Sequence, residues 1–144
     1  MRKRASPHPK SLTAGQLAQH IATIPGNAAR LVKLDGFDIS TRPLHYPTSD
    51  GPSALLATMD ESVAAAREAL KAMDESAATD VWCLTYGPRE IFALPRVGVM
   101  RTMGFNHWYH HRGELVVYLR LLGVPVPVVY GRSADENPFA SPAA

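Results

Sequence analysis

The sequence predicts an all-α fold, a helical bundle of three long helices with a small extended insert. Thr13 to Leu34 and Ser53 to Met73 both carry apolar residues at spacings of three and four. A third stretch opens at Pro95, a residue favoured at helix starts, and runs to about Leu122, where a glycine follows. Three such stretches favour an antiparallel bundle.

The length and composition fit one globular domain. The chain has 144 residues, 46% hydrophobic and 19% charged, which excludes a wholly disordered protein. Residues 1–10 are polar with two prolines and predict a mobile N-terminal arm. Residues 11–129 form the predicted bundle domain, and residues 130–144, rich in proline, serine and alanine, form a predicted C-terminal tail.

The first predicted helix begins with a capping box, in which the side chains of Thr13 and Gln16 are each expected to accept a hydrogen bond from the backbone N–H of the other residue. Its apolar stripe is Leu17, Ile21, Ile24, Ala28 and Leu31. Pro25 and Gly26 lie inside it and predict a kink or an interruption, since proline has no N–H to donate. Residues 35–53 follow as a long irregular connection, of a length often found in binding loops or crossovers.

The second predicted helix has an unbroken seam of the kind found in bundles: Leu56, Met59, Val63, Ala66, Leu70 and Met73. Residues 81–94 contain two short apolar runs around Gly87 and Pro88, which predicts a β-hairpin or a pair of extended arms.

Charge and cysteine content limit the partners and the compartment. Fifteen basic and thirteen acidic residues give a formal charge of +2, so we expect no nucleic-acid partner. The single cysteine, Cys83, cannot form an internal disulfide, which indicates a reducing compartment. No apolar run approaches the roughly 18 residues of a membrane helix. We therefore expect a soluble cytoplasmic protein with no membrane partner.

Three of the six histidines lie close together in residues 107–111. His107 and His111 are four apart, so on a helix they lie on one face about 40° apart, which suits two imidazoles on one metal ion. The face of this helix that carries His107 and His111 is otherwise mostly apolar. On an ideal helix, the residues within about 40° of His107 also include Met100, Met103, Glu114, Tyr118 and Leu121. His20 shares the stripe of the first helix, so it should also face inwards.

Three inward imidazoles with an open position predict a catalytic type of metal site. Zinc is the default ion, with nickel, manganese or iron as alternatives. Each residue also has a simpler interpretation. His20 could be a core histidine bonded to a backbone carbonyl, and His107 and His111 could form a solvated face. The conjunction of the three favours metal.

Glu114 and His110 are the candidate catalytic residues. Glu114 lies one turn beyond His111 and could orient that imidazole or act as a base on a bound water. It could also form a salt bridge with Arg112 or Arg120. His110 lies about 60° from the pair and could be a proton shuttle, a surface group or a further ligand. His8 and His45 lie beside prolines and are expected to be solvent groups.

Three segments of the chain resemble the DinB family of small metal-binding bundles: HPKSLTAGQLAQHIATIPG at 8–26, LPRVGVMRTMGFNHWYHHRGELVVYLRLLGVPVP at 94–127 and YGRSADE at 130–136. DESVAAAREAL at 60–70 resembles the middle helix of that family. The resemblance implies an up-up-down-down four-helix bundle, usually a homodimer. It also implies a divalent metal held by one histidine of the family's second helix and by a histidine pair four apart on its last helix, positions that match His20, His107 and His111.

Two departures from the family pattern carry expectations of their own. The resemblance implies a whole helix before the HPKS segment, whereas seven residues precede His8 here. We therefore expect an uncovered apolar groove that favours association. The residue after Pro25 and Gly26 is often tryptophan in the family and is Asn27 here, so we expect a different pocket shape.

The resemblance implies a site without naming a substrate. Related bundles are thiol-dependent, namely mycothiol-dependent maleylpyruvate isomerase and the bacillithiol or glutathione transferases. The first hypothesis is thus a metal-dependent hydrolase or thiol transferase that acts on a small molecule, with an unidentified thiol cosubstrate. The alternatives are a non-catalytic metal-binding or stress-response interaction protein, and a bundle that has lost its metal together with its first helix.

Overall fold

The computed structural model describes residues 5–140. Its elements, in chain order, are α1 (Ala14–Leu31), β1 (Gly36–Asp38), α2 (Pro52–Lys71), α3 (Glu75–Thr79), β2 (Val81–Tyr86), β3 (Arg89–Pro95), α4 (Arg96–Val99) and α5 (His107–Leu121). A 3₁₀ turn spans Ile39–Thr41, and a π-helical segment spans Met100–Asn106. The fold is mostly helical, as predicted, and adds a small three-stranded sheet.

The predicted start of α1 is confirmed. The Thr13 side chain accepts from the Gln16 N–H, and the Gln16 side chain accepts from the Thr13 N–H at 2.9 Å. Its predicted stripe faces the core, since Leu17, Ile21, Ile24 and Ala28 are buried and Leu31 is partly so. The helix ends at Leu31 rather than Leu34, because the chain turns there into the sheet.

Pro25 does not interrupt α1, contrary to one of the two expectations for it. The helix continues through Pro25, and the N–H of the next residue, Gly26, donates to the Oγ of Ser62 on α2 at 2.7 Å. Ser62 is the one polar side chain among the buried core residues of the described chain. A side chain of the neighbouring helix therefore supplies an acceptor at the position where proline disturbs the backbone ladder.

The predicted seam of α2 is rotated in the structure. Leu56 is 65% exposed and Leu70 is 41% exposed, whereas Ser62 and Ala69 are buried against α1. Small residues on the contacting face allow α1 and α2 to approach closely. The larger apolar side chains that the pattern assigned to the core consequently lie at the edge of this contact.

The predicted hairpin is confirmed as β2 and β3, which turn at Gly87 with a positive φ of 56°. The strand β1 was not predicted, because residues 35–53 were interpreted as irregular throughout. It pairs in parallel with β2, and Gly36 approaches so closely that a Cβ there would lie 2.8 Å from the Cys83 carbonyl oxygen. Glycine is therefore required at this point of the sheet.

The main core lies between α1, the sheet and α4. Trp82 on β2 is fully buried, and its Nε1 donates to the carbonyl oxygen of Leu31 at 3.0 Å. Around it pack Ala28, Val32, Leu84, Val99 and Met100. This core fixes the end of α1 to the start of the last helix, and so sets the relative position of the two helices that carry the candidate ligands.

The third predicted helix is helical throughout but changes type. Residues 96–99 and 107–121 are α-helical, and the π-helical segment lies between them, directly before His107. Such wide turns often occur at functional sites. The stripe expected from an ideal helix is only partly buried: Met100 is 3% exposed, whereas Leu121, at the end of α5, is 66% exposed.

The chain ends are tied to the bundle within the described residues. The Ala14 N–H donates to the Ala5 carbonyl oxygen in the predicted arm. In the predicted tail, Asp135 pairs with Arg120 at 2.7 Å and also accepts from the Val126 N–H. The rest of each predicted segment, residues 1–4 and 141–144, lies outside the described residues. No helix among the described residues is long and apolar enough to cross a membrane.

An apolar groove of about 200 Å³ lies between α2 and the last helix, with α1 as its floor. Its walls include Val63, Ala66, Leu70, Gly104, Phe105 and Trp108. Leu70 and Phe105 are both more than 40% exposed.

Candidate metal centre

Three imidazoles from two helices converge between α1 and α5. The Nε2 of His107 lies 2.9 Å from the Nε2 of His111 and 3.3 Å from the Nε2 of His20. One ring nitrogen of each histidine lies within 4.8 Å of the others. All three side chains are partly buried. The structure thus brings together the three residues that the sequence singled out as metal ligands.

The spacing fits a common metal ion. Two imidazole nitrogens bound tetrahedrally to zinc, each about 2.05 Å from it, lie about 3.3 Å apart. The two separations in the structure, 2.9 and 3.3 Å, are close to that value. A set of three neutral imidazoles suits zinc and also nickel, iron or copper.

The protonation pattern also fits a cation. The Nδ1 of His111 donates to the Glu114 carboxylate at 2.7 Å, which leaves a lone pair on the Nε2 that faces His107. At most one proton can be shared among the converging nitrogens, whereas a divalent ion accepts a lone pair from each. Without a cation, the arrangement would bring uncompensated lone pairs together in a partly buried place.

Burial and mutual proximity favour the neutral form of these imidazoles. Burial, followed by the neighbouring His111 and His107, lowers the pKa of His20 from 6.5 to about 4. The pKa of His107 is lowered mainly by burial and then by His111, while a hydrogen bond with the Met103 backbone counteracts the shift. Neutral imidazole is the form that binds metal.

Glu114 and His110 lie on the outer side of this cluster. Glu114 contacts His111 through Oε2 and His110 through Oε1, at 2.7 and 3.2 Å. The His110 side chain is 63% exposed. Neither residue lines the cavity onto which His20, His107 and His111 open. His110, His111 and Glu114 could by themselves hold a second ion at the surface.

A cavity of about 510 Å³ opens from the three imidazoles along α1. Its other walls come from β1, the 3₁₀ turn and residues 42–47. Tyr46 packs edge-on against the His20 ring, with centroids 5.4 Å apart, and its carbonyl oxygen accepts from the Gln16 side chain at 3.1 Å. Gln16, the second residue of the capping box, thereby holds the loop of residues 42–47 beside the imidazoles.

Sequence reasoning missed several residues of this cavity. Phe37, Arg42 and Tyr46 were not singled out, although their segment was expected to be a binding loop. His45, taken as a solvent group, is exposed and also lines the cavity. Asn27, where a different pocket shape was expected, lies in the wall on the same side of α1 as His20. The proline-rich composition of residues 43–52 was the available signal.

Cys83 lies elsewhere, on β2. Its Sγ is 3.6 Å from Glu90 Oε2, and desolvation, followed by this carboxylate, raises its pKa. The side chain is partly exposed rather than buried as a small hydrophobe. It lines neither the metal cavity nor the apolar groove.

Two solved structures resemble this fold. The DinB-like protein YjoA from Bacillus subtilis superposes with a TM-score of 0.64 and 17% identity, over 90% of this chain and 81% of that one. A DinB-like protein from Bacillus cereus ATCC 10987 superposes with a TM-score of 0.59 and 23% identity, over the same shares. No curated protein matches the chain.

The sequence model of the DinB family matches residues 4–138, nearly the whole chain. The match includes α1, with His20, and α5, with the histidine pair. The chain therefore belongs to the DinB family.

Proposed function

We propose that this protein binds one divalent metal ion through His20, His107 and His111 and uses it in catalysis. The observation that carries the proposal is the convergence of three Nε2 atoms at 2.9 and 3.3 Å. Zinc is the ion we expect first, because its tetrahedral geometry fits these separations. Nickel, manganese and iron remain alternatives for the same donor set.

The cavity supports a catalytic rather than a structural role. Structural zinc sites are closed by four protein ligands, whereas catalytic sites use three and leave one position open. His20, His107 and His111 all line a cavity of about 510 Å³, which is within the usual range for small-molecule sites. A bound divalent ion would supply Lewis-acid chemistry that polarises a carbonyl or favours the anionic form of a water or thiol nucleophile.

Glu114 and His110 have supporting roles in this proposal. Glu114 accepts from His111 Nδ1, which orients that imidazole and increases its basicity as a ligand. His110 contacts the second carboxylate oxygen of Glu114. We propose that the pair positions His111, and that any proton transfer by His110 proceeds through Glu114, because His110 does not itself line the cavity.

The reaction we propose is of the hydrolase or thiol-transferase type. Within the described cavity lining there is no cysteine, so a thiol nucleophile would have to come from a cosubstrate. Turnover of an activated ester without added thiol would indicate hydrolysis. Turnover of an electrophilic substrate that needs added thiol would indicate transfer. We also propose an up-up-down-down course of the helices and a cytoplasmic location, which the single cysteine supports.

Elemental analysis of tag-free protein is the decisive experiment. We expect about one divalent ion per chain, lost in His107→Ala and retained in His8→Ala, which changes an exposed histidine that does not line the cavity. The same preparations are then assayed for both reactions. Stoichiometric metal without turnover of either kind would favour a non-catalytic metal-binding or interaction protein. Absence of metal, and of uptake on adding zinc, nickel or manganese, would contradict the proposal.

A further inference from the structure

The cavity beside the imidazoles has a charge asymmetry. Its charged side chains, among the described residues that line it, are Arg30 and Arg42, and no aspartate or glutamate lines it. Within residues 5–140, no carboxylate forms an ion pair with either arginine. A divalent ion at the histidines would add further positive charge. The wall of the cavity is therefore complementary to an anion.

Both arginines are exposed, and each makes a local hydrogen bond, Arg30 through its side chain and Arg42 through its backbone. Arg30 donates to Asn27 Oδ1, and Asn27 lies on the same face of α1 as His20. Arg42 follows the 3₁₀ turn, where its N–H donates to the Ile39 carbonyl oxygen. That turn is fixed in turn by Asp38, whose Oδ1 accepts from the Ser40 and Gly87 N–H groups, both at 2.9 Å. Both residues line the cavity, Arg30 from the last turn of α1 and Arg42 from directly after the 3₁₀ turn, and these two positions define its arginine end.

The space between the two ends is apolar. Ile24, Leu31, Phe37, Ile39 and Met103 contribute to its lining. From His20 to Arg30, α1 makes nearly three turns, which separates the backbone positions of this imidazole and this arginine by about 15 Å. An occupant must therefore combine an anionic group, an apolar middle and a reacting group at the far end.

We propose that the cavity binds a small amphipathic acid, with its carboxylate or phosphate on Arg30 and Arg42 and its apolar part along α1. A guanidinium matches either oxyanion by paired hydrogen bonds. The inference rests on the proposed function only in taking the imidazole end as the reacting end. It names the substrate class of that site, which is an acid of this shape.

The probes are four compounds with the same eight-carbon chain: octanoate, octyl phosphate, octylamine and octanol. Binding is measured by calorimetry on the full chain after chelator treatment, so that no metal contributes. We expect both acids to bind at least about tenfold more tightly than octanol, and octylamine to bind least. Comparison of octanoate with octyl phosphate identifies which oxyanion the arginines prefer. Equal binding of the acids and octanol would overturn the proposal.

The variants Arg42→Gln and Arg30→Gln, singly and together, test the placement of the acid. We expect the double variant to bind octanoate as weakly as it binds octanol, while Lys33→Gln, an exposed basic residue outside the cavity, behaves as wild type. An unchanged octanoate affinity in the double variant would refute the assignment. Octanoate binding that requires added zinc and disappears in His107→Ala would place the acid on the metal. That result would overturn this inference while leaving the proposed function intact.

Discussion

His111 and Glu114 are joined by a 2.7 Å contact between Nδ1 and Oε2, and the other nitrogen of the same ring faces His107 at 2.9 Å. The carboxylate therefore fixes both the tautomer and the direction of the ring. Carboxylates that hold a ligand imidazole in this way commonly contribute a factor of about 10 to 100 in metal affinity. The arrangement leads to a direct test.

Glu114→Gln should weaken zinc binding by about 10- to 100-fold without unfolding the protein, because the amide removes the charge that supports the imidazole. Competition with a chromophoric chelator measures the affinity. Glu68→Gln is the matched control, since Glu68 pairs with Lys71 on the exposed side of α2 and should leave affinity unchanged. Equal affinities for the wild type and Glu114→Gln would show that the contact does not support the metal.

Metal loading should raise the melting temperature. A ligand at a hundred times its dissociation constant stabilises the native state by about 2.7 kcal/mol. For a domain of this size, that corresponds to a shift of roughly 10 °C. Differential scanning fluorimetry with zinc and with chelator measures it. In His107→Ala the two curves should coincide, and a shift retained in that variant would indicate that zinc binds elsewhere.

The stability of the metal-free protein should depend on pH through His20. Its pKa is about 4 in the folded state and 6.5 without the surrounding protein, so the unfolded state binds more protons between these values. Stability should therefore be complete above about pH 6.5 and should fall as the pH decreases towards 4. His107 acts in the same direction. Below about pH 4, loss of the Asp38 and Asp135 contacts should add to the decline.

Urea unfolding in the presence of chelator, at several pH values across this window, checks that prediction. His20→Gln should flatten the dependence between pH 6.5 and 4, whereas His8→Gln should leave it unchanged. A slope in His20→Gln equal to that of the wild type would mean that burial of His20 is not its source.

Much of the helical fold and the histidine set could be predicted from local patterns. The capping box at Thr13 and the stripe from Leu17 to Ala28 depend on residues close in sequence, and both are confirmed. The convergence of His20 with His107 followed from matching two inward faces, because opposed core faces of neighbouring helices meet. The site could be predicted because the three histidines occupy core-facing positions of two apolar stripes.

The remaining features depend on contacts that are distant in sequence. β1 is only three residues long and exists because Gly36 can approach Cys83 on β2. The face that α2 turns towards α1 carries the small residues Ser62 and Ala69, whereas the bulkier Leu56 and Leu70 are exposed. Apolar periodicity within α2 does not show this preference for small residues. The π-helical segment before His107 has no clear periodic signature. The arginine end of the cavity depends on both the loop and the sheet, so no single stretch of sequence indicated it.

Ser62→Ala should destabilise the protein by about 1–3 kcal/mol, because it leaves the Gly26 N–H without its side-chain acceptor beside Pro25. Chemical denaturation measures the change. Thr58→Ala is the control on the same helix, since its hydroxyl donates to the Ala54 carbonyl oxygen on an exposed face and should matter little. A Ser62→Ala variant as stable as Thr58→Ala would show that the helix satisfies Gly26 in another way.

A second copy of the chain is the partner that we propose for the apolar groove between α2 and the last helix. Leu70 and Phe105 stand on opposite walls, 41% and 43% exposed. In a two-fold pairing, the same surface meets itself, so these side chains of each copy can enter the groove of the other.

We expect a dimer in analytical ultracentrifugation. Leu70→Glu or Phe105→Glu should shift it to monomer, since a charge would be buried without a partner. Phe139→Glu, which is exposed away from the groove, should remain dimeric. A wild-type monomer, or a dimer unaffected by both groove variants, would contradict this assignment.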